Sequence, residues 1–154
     1  MKKNFLIFFS LGLILTFFSC QDEFCLEPTT PQLVLRFYDK DTLENNKAIS
    51  LVAWVGNDTI PTVIGNASDS IALPINTQAN SVTYQFSIFD SVPSLETFTL
   101  NYTVEDVYVS KACGYKSVFT NVSITHSSDN WLSSSKLITS EISNENQAHV
   151  QIYH

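Results

Sequence analysis

Basic residues are scarce: lysine and arginine total eight, against fifteen aspartates and glutamates. Lys2 and Lys3 lie at the extreme N-terminus, so from residue 20 onward six basic residues face all fifteen acidic ones, a net charge of −9. A nucleic-acid backbone demands clustered lysine and arginine, and a surface this acidic excludes that partner. The same charge opposes electrostatic docking of the folded part on anionic lipid heads. The longest apolar run, Phe5 to Phe18, is interrupted by Ser10, Gly12 and Thr16. It falls short of the ~20 residues that cross ~30 Å of hydrocarbon. Residues 20–154 hold no sustained helical period, internal repeat, low-complexity tract or second domain, and only three cysteines occur in the chain.

What is present at the N-terminus is a secretory pattern. Lys2 and Lys3 form a positive n-region, and the run that follows has the length of an h-region. Ser19-Cys20, a small residue followed by cysteine, resembles a lipobox, in which the peptide is cut before a diacylated thiol. Phe17 and Phe18 depart from the usual Leu-Ala-Gly type. The expected organisation is a signal peptide at 1–19, a lipidated N-terminus and short tether at 20–30, and one domain at 31–154. An ordinary signal peptide with Cys20 unmodified, or an uncleaved anchor, are the competing readings.

With Cys20 consumed by lipid, Cys25 and Cys113 are the remaining thiols. In an oxidising compartment an even remainder reads as a disulfide; two separate buried thiols are the alternative. A bridge closing 88 residues stabilises by roughly 4 to 5 kcal/mol in the chain-entropy model. Only residues 21–24 separate Cys20 from Cys25, a span of at most ~17 Å. The domain is expected to ride close to the bilayer, with the end near Cys25 facing it.

Alternation of period two marks the strands. Leu33, Leu35 and Phe37 alternate with Val34, Arg36 and Tyr38; Ile49, Leu51, Ala53 and Val55 repeat the pattern. Thr59 to Ile64 reads as a short strand that Pro61 confines to an edge. Segments 70–75, 81–90 and 96–104 follow, with a phase slip that places a bulge at Glu105-Asp106. Val118, Val122 and Ile124 share a face in 115–126, and 136–142 and 148–153 close the chain. Eight or nine short strands separated by turns predict an all-β protein, a single immunoglobulin-like, Greek-key β-sandwich.

The segment Cys20 to Asp39 (CQDEFCLEPTTPQLVLRFYD), together with Ala112 to Lys116 (ACGYK) and Glu145 to Tyr153 (ENQAHVQIY), resembles a family of small Bacteroidota lipoproteins of unknown function. The resemblance spans the whole chain after the signal peptide. It implies a cell-envelope domain and no particular activity. Gln21, Asp22 and Glu23 are similar to the acidic export signal of surface-exposed lipoproteins of that phylum, and a merely solvated acidic linker is the plain alternative.

Candidate chemistry is thin. His126, His149 and His154 have no second ligand at zinc spacing, so no metal site is expected. Asp39, Asp41 and Glu44 offer oxygens but lack the glycine and spacing of a calcium loop; turn chemistry accounts for them. No Gly-x-Ser-x-Gly elbow occurs, and Ser133-Ser-Ser-Lys136 matches Ser-x-x-Lys only in a serine-rich loop. Trp131, in a loop, and Trp54, out of phase with the apolar face of its strand, are the candidate binding residues. For Trp131 the plainer reading is a cap on one end of the sandwich. The expectation is a non-enzymatic outer-membrane lipoprotein, cell-surface exposed or periplasm-facing, with no cofactor. Its membrane contact is the lipid on Cys20, its partner another envelope protein; glycan or small-ligand binding is the second reading.

Overall fold

A computed structural model describes residues 24–25, 30–91, 94–127 and 130–154. The expected signal peptide, Cys20 with its expected lipid, and the acidic run after it lie outside the described residues. Ten strands form two packed sheets: β1 (Leu33–Tyr38), β2 (Ile49–Val55), β3 (Asp58–Thr59), β4 (Ala67–Ser68), β5 (Ser70–Leu73), β6 (Ser81–Ile88), β7 (Glu96–Ser110), β8 (Gly114–His126), β9 (Ser134–Leu137) and β10 (Val150–Tyr153). The first sheet runs β5-β1-β10-β9 and the second β3-β2-β6-β7-β8, with β4 also on β2. The protein is a β-sandwich. Its first and last strands, β1 and β10, lie parallel at the centre of the first sheet.

Alternation decides which side chains meet between the sheets. Leu33, Leu35 and Phe37 of β1 and Val150 and Ile152 of β10 are buried against Leu51, Ala53, Tyr84, Phe86, Phe98 and Leu100 of the other sheet. Tyr84, Phe86 and Phe98 pack ring on ring at 6.3 to 6.5 Å between centroids, and Tyr102 meets Phe119 edge to face at 5.1 Å. Two of these rings carry a hydroxyl into the interior. The Tyr84 hydroxyl donates to the Pro74 carbonyl at 2.7 Å and that of Tyr102 to the Asn76 carbonyl at 2.6 Å. Both bonds fasten the chain between β5 and β6, where it crosses from one sheet to the other. Burial pushes both phenols above their ordinary pKa, so each stays a donor.

Three expectations are corrected. The strand expected over 59–64 is two residues of β3 followed by a 3-10 turn at Pro61–Val63. Proline suits the first position of such a turn, where its missing N–H has no partner to lose. The bulge expected at Glu105-Asp106 is absent; those residues pair in register with Val118 and Ser117. One irregularity lies between Asn101 and Thr103, whose partners are Ser123 and Thr120, so the extra residue belongs to β8. There Asn121 adopts φ 52°, a left-handed conformation that asparagine tolerates. This bulge also reverses the parity of β8. Val122 and Phe119 are in the core cluster with Ile124 against it, whereas Val118 is buried outside it.

The phase slip in the sequence has another cause. The inward face of β7 ends at Val104, and the strand continues past the core: β6 accompanies β7 only as far as Asn101, and the rest pairs with β8. This two-stranded arm closes at Ser110↔Gly114 around Lys111, Ala112 and Cys113. Gly114 takes φ 69°, as a three-residue hairpin loop with a bulge requires. The Cys113 N–H bonds to the Ser110 hydroxyl at 3.1 Å.

Replacing Tyr84 by phenylalanine keeps the ring packing and strands the Pro74 carbonyl. Denaturant unfolding of Tyr84→Phe is expected to show a loss of about 1 kcal/mol with an unchanged denaturant slope; an unchanged midpoint would mean that water satisfies the carbonyl.

Candidate functional site

Glu96 opens β7 and has the same parity as Phe98, Leu100 and Tyr102, so its carboxylate is carried into the interior and is fully buried. A buried carboxylate needs donors. Its Oε1 accepts backbone N–H bonds from Asn130 at 2.7 Å, Trp131 at 3.1 Å and Leu132 at 3.4 Å, and its Oε2 accepts from the Ser127 hydroxyl. Ser127 and residues 130–132, between β8 and β9, are thus gathered about one carboxylate. Sequence reasoning missed Glu96, and its signal was there: a charged residue in phase with a core row.

The same loop places Trp131. Its indole N–H donates to the Ser94 carbonyl at 3.0 Å, and its ring meets His154 edge to face at 6.1 Å. Trp131 is half-buried and packs on the core, closing the end of the sandwich where Ser94 and the C-terminal His154 meet it. Trp54 projects from the opposite face of β2 to Leu51 and Ala53, paired in register with Gln85 and Thr59. The two tryptophans therefore stand on different surfaces.

The histidines do not converge. His149 is buried just before β10; its Nδ1 accepts from the Val34 N–H at 2.9 Å and its Nε2 lies 2.9 Å from the Asn144 carbonyl. That pair of bonds selects the neutral ring with the proton on Nε2. His154 contacts the Lys47 carbonyl and the ring of Phe37, and His126 bonds to the carbonyl of Ser127. Among the described residues no three histidine, cysteine or acidic side chains gather as a metal-binding group. The Asp39 carboxylate is occupied by its own turn: the Asp41 N–H, the Lys47 ammonium and the Thr42 N–H hold its pKa down at about 2. Ser133 precedes β9 and Lys136 lies within it, both exposed.

Two further features bear on binding. A cavity of about 340 Å³ opens beside β4 and β5, lined by Gln32, Val63, Asn66, Ser68, Ser70, Ile71 and Ala72; neither tryptophan lines it. Cys113 at the tip of the β7–β8 arm is joined to Cys25 by a disulfide, with Cα atoms 4.8 Å apart and a sequence separation of 88. The arm is thereby tied to the segment that leads back toward Cys20.

Residues 48–154 match the Family of unknown function (DUF6452). The chain belongs to this family. The match takes in Cys113, Glu96, both tryptophans and every strand but β1. Because β1 sits between β5 and β10, the folded unit extends beyond the N-terminal limit of the match. No curated protein and no solved structure matches the chain.

Glu96→Ala removes the acceptor for three backbone N–H groups and a hydroxyl. Stability is expected to fall by on the order of 3 kcal/mol, and Trp131 to become accessible to acrylamide quenching. Native-like stability in the variant would show that the loop holds without the carboxylate.

Burial lowers the pKa of His149, and likewise that of His154, only partly offset by their carbonyl partners. The unfolded chain then binds protons that the folded chain refuses, so stability is fully present above about pH 6.5 and declines as pH falls below it. The Asp39 contribution is lost only lower, as pH falls from the ordinary 3.8 toward about 2. Unfolding measured against pH is expected to show the upper decline in the parent and a flatter profile in His149→Gln/His154→Gln. A decline that persists in that double variant would assign it to other groups.

Proposed function

We propose that the chain is a cell-envelope lipoprotein, anchored through lipid on Cys20, whose sandwich is a non-catalytic module that binds another envelope protein. The observation that carries the envelope part is the Cys25–Cys113 disulfide, a bond that persists in oxidising compartments. With it stands the secretory pattern ending in Ser19-Cys20. The outer membrane is the proposed location, with the domain exposed at the cell surface or facing the periplasm.

The non-catalytic part is supported by how the buried polar groups are used. Glu96 and His149 both spend acceptor atoms on backbone N–H groups, which makes them structural fasteners. A short tether holds the domain at the membrane, within reach of a neighbouring envelope protein. The second reading, small-ligand binding, draws on the cavity beside β5, whose Gln32, Asn66, Ser68 and Ser70 could hydrogen-bond a polar molecule.

Intact mass of protein extracted from membranes is expected to show a chain starting at Cys20 with acyl groups, gaining two hydrogens on reduction. An acyl-free chain with two free thiols would sink the envelope reading. Crosslinking in intact cells is expected to recover one envelope protein in near-equal amount. Recovery of the lipoprotein alone, together with a ligand bound at the Ser68–Ser70 cavity, would replace the partner by the ligand.

A further inference from the structure

At the tip of the β7–β8 arm large rings stand in solvent. Phe24 is 87% exposed, Tyr115 66% and Tyr108 55%, and Val107 beside them is exposed as well. Tyr108 and Tyr115 face each other across the two strands, and their rings meet edge to face at 5.5 Å. Phe24 precedes the cysteine that is bonded to the tip. The three rings thus belong to one covalently closed unit. Charge distinguishes the tip too. Residues 107–116 contain Lys111 and Lys116 and no acidic residue, on a chain that carries −9 from residue 20 onward.

Tyrosine and lysine beside apolar rings are the composition of the membrane–water interface, where an amphipathic ring sits at headgroup level. The position along the chain matches the composition. Cys20 is five residues from Cys25, a reach of at most ~17 Å, so a lipid on Cys20 leaves the tip no room to stand far from the bilayer.

We infer that the arm tip is a membrane-contacting surface, with Phe24, Tyr108 and Tyr115 seated in the headgroup layer of the bilayer that holds the lipid on Cys20. The inference rests on the proposed acylation. The acyl chains supply the affinity; the tip supplies orientation. It directs the arm at the bilayer and turns the opposite end, with Trp131 and the loop wound on Glu96, away from it. On a zwitterionic bilayer the lysines meet no net charge, so the contact depends on rings and is insensitive to salt.

The test uses the full acylated chain, reconstituted into phosphatidylcholine vesicles with plain or brominated acyl chains. Tyr115→Trp, a substitution at an exposed position, adds a fluorophore at the tip, and Tyr108→Trp gives a second reporter. The added emission is expected to fall about twofold in brominated vesicles at low and high salt, as befits an interfacial ring. The parent chain, which emits from Trp54 and Trp131, is expected to be little quenched. Equal added emission in both kinds of vesicle, from a chain whose mass shows the acyl groups, leaves the anchor standing and overturns the inference. A chain without acyl groups overturns the anchor and the inference with it. A photoreactive residue at position 115 that crosslinks to a protein in cells, without bromine quenching in vesicles, assigns the tip to a protein partner and overturns the inference likewise.

Discussion

The inward row of β7 constrains more of this molecule than any other single feature. Because alternate residues of a strand share a side, burying Phe98 and Leu100 against the first sheet also buries Glu96 and Tyr102. Neither can be left dry without partners. Tyr102 reaches the Asn76 carbonyl and fastens the crossing between sheets; Glu96 gathers the backbone of 130–132. The position of Trp131 follows from that carboxylate, so one end of the sandwich is built from the N-terminal residue of β7.

The other end of the same strand obeys a different rule. Beyond Val104 no second sheet lies opposite among the described residues, and β7 and β8 continue as a ribbon. A two-stranded hairpin alone is marginal in water. Here the segment between Phe119 and Val122 is steadied by backbone bonds to Ser140 and Ile142, and the tip is tied covalently to Cys25. The disulfide closes β1 to β7 into a loop of 88 residues, which restricts the unfolded chain, and it also fixes where the arm points relative to the N-terminal segment. Stability and orientation come from the same bond.

Most strands were legible because the core is two-sided and regular. Where a strand has one wet and one dry face, as β1 does, alternation alone marks its limits within a residue. The misreadings occur where the environment changes along one strand. Val107 and Val109 read as a slip of register only if apolar residues face inward; past the core Val107 is exposed, and Val109 is the extra residue of β7 at the register shift between Tyr108 and Ser110. Val118 was grouped with Val122 because a single residue, Asn121, inverts the parity of β8, and nothing in its type announces a bulge. Pro61 spoke against a central strand, as the sequence implied, but the 3-10 turn it starts depends on burying Ile60 and Val63 beneath β2.

From the sequence alone come the acidic charge, the all-β class, the inward rows of the long strands and the expectation that Cys25 and Cys113 pair with each other. These are properties of composition, period and count, and they need no knowledge of what lies opposite. Tertiary structure alone decided that β1 pairs in parallel with β10, that Glu96 is the hub of a distant loop, that Trp131 and Trp54 stand on separate surfaces, and that the rings of Tyr108 and Tyr115 crown an arm beyond the core. Each depends on contacts between residues far apart in the chain, where many pairings are equally compatible with local pattern and only simultaneous burial of all the inward rows selects one.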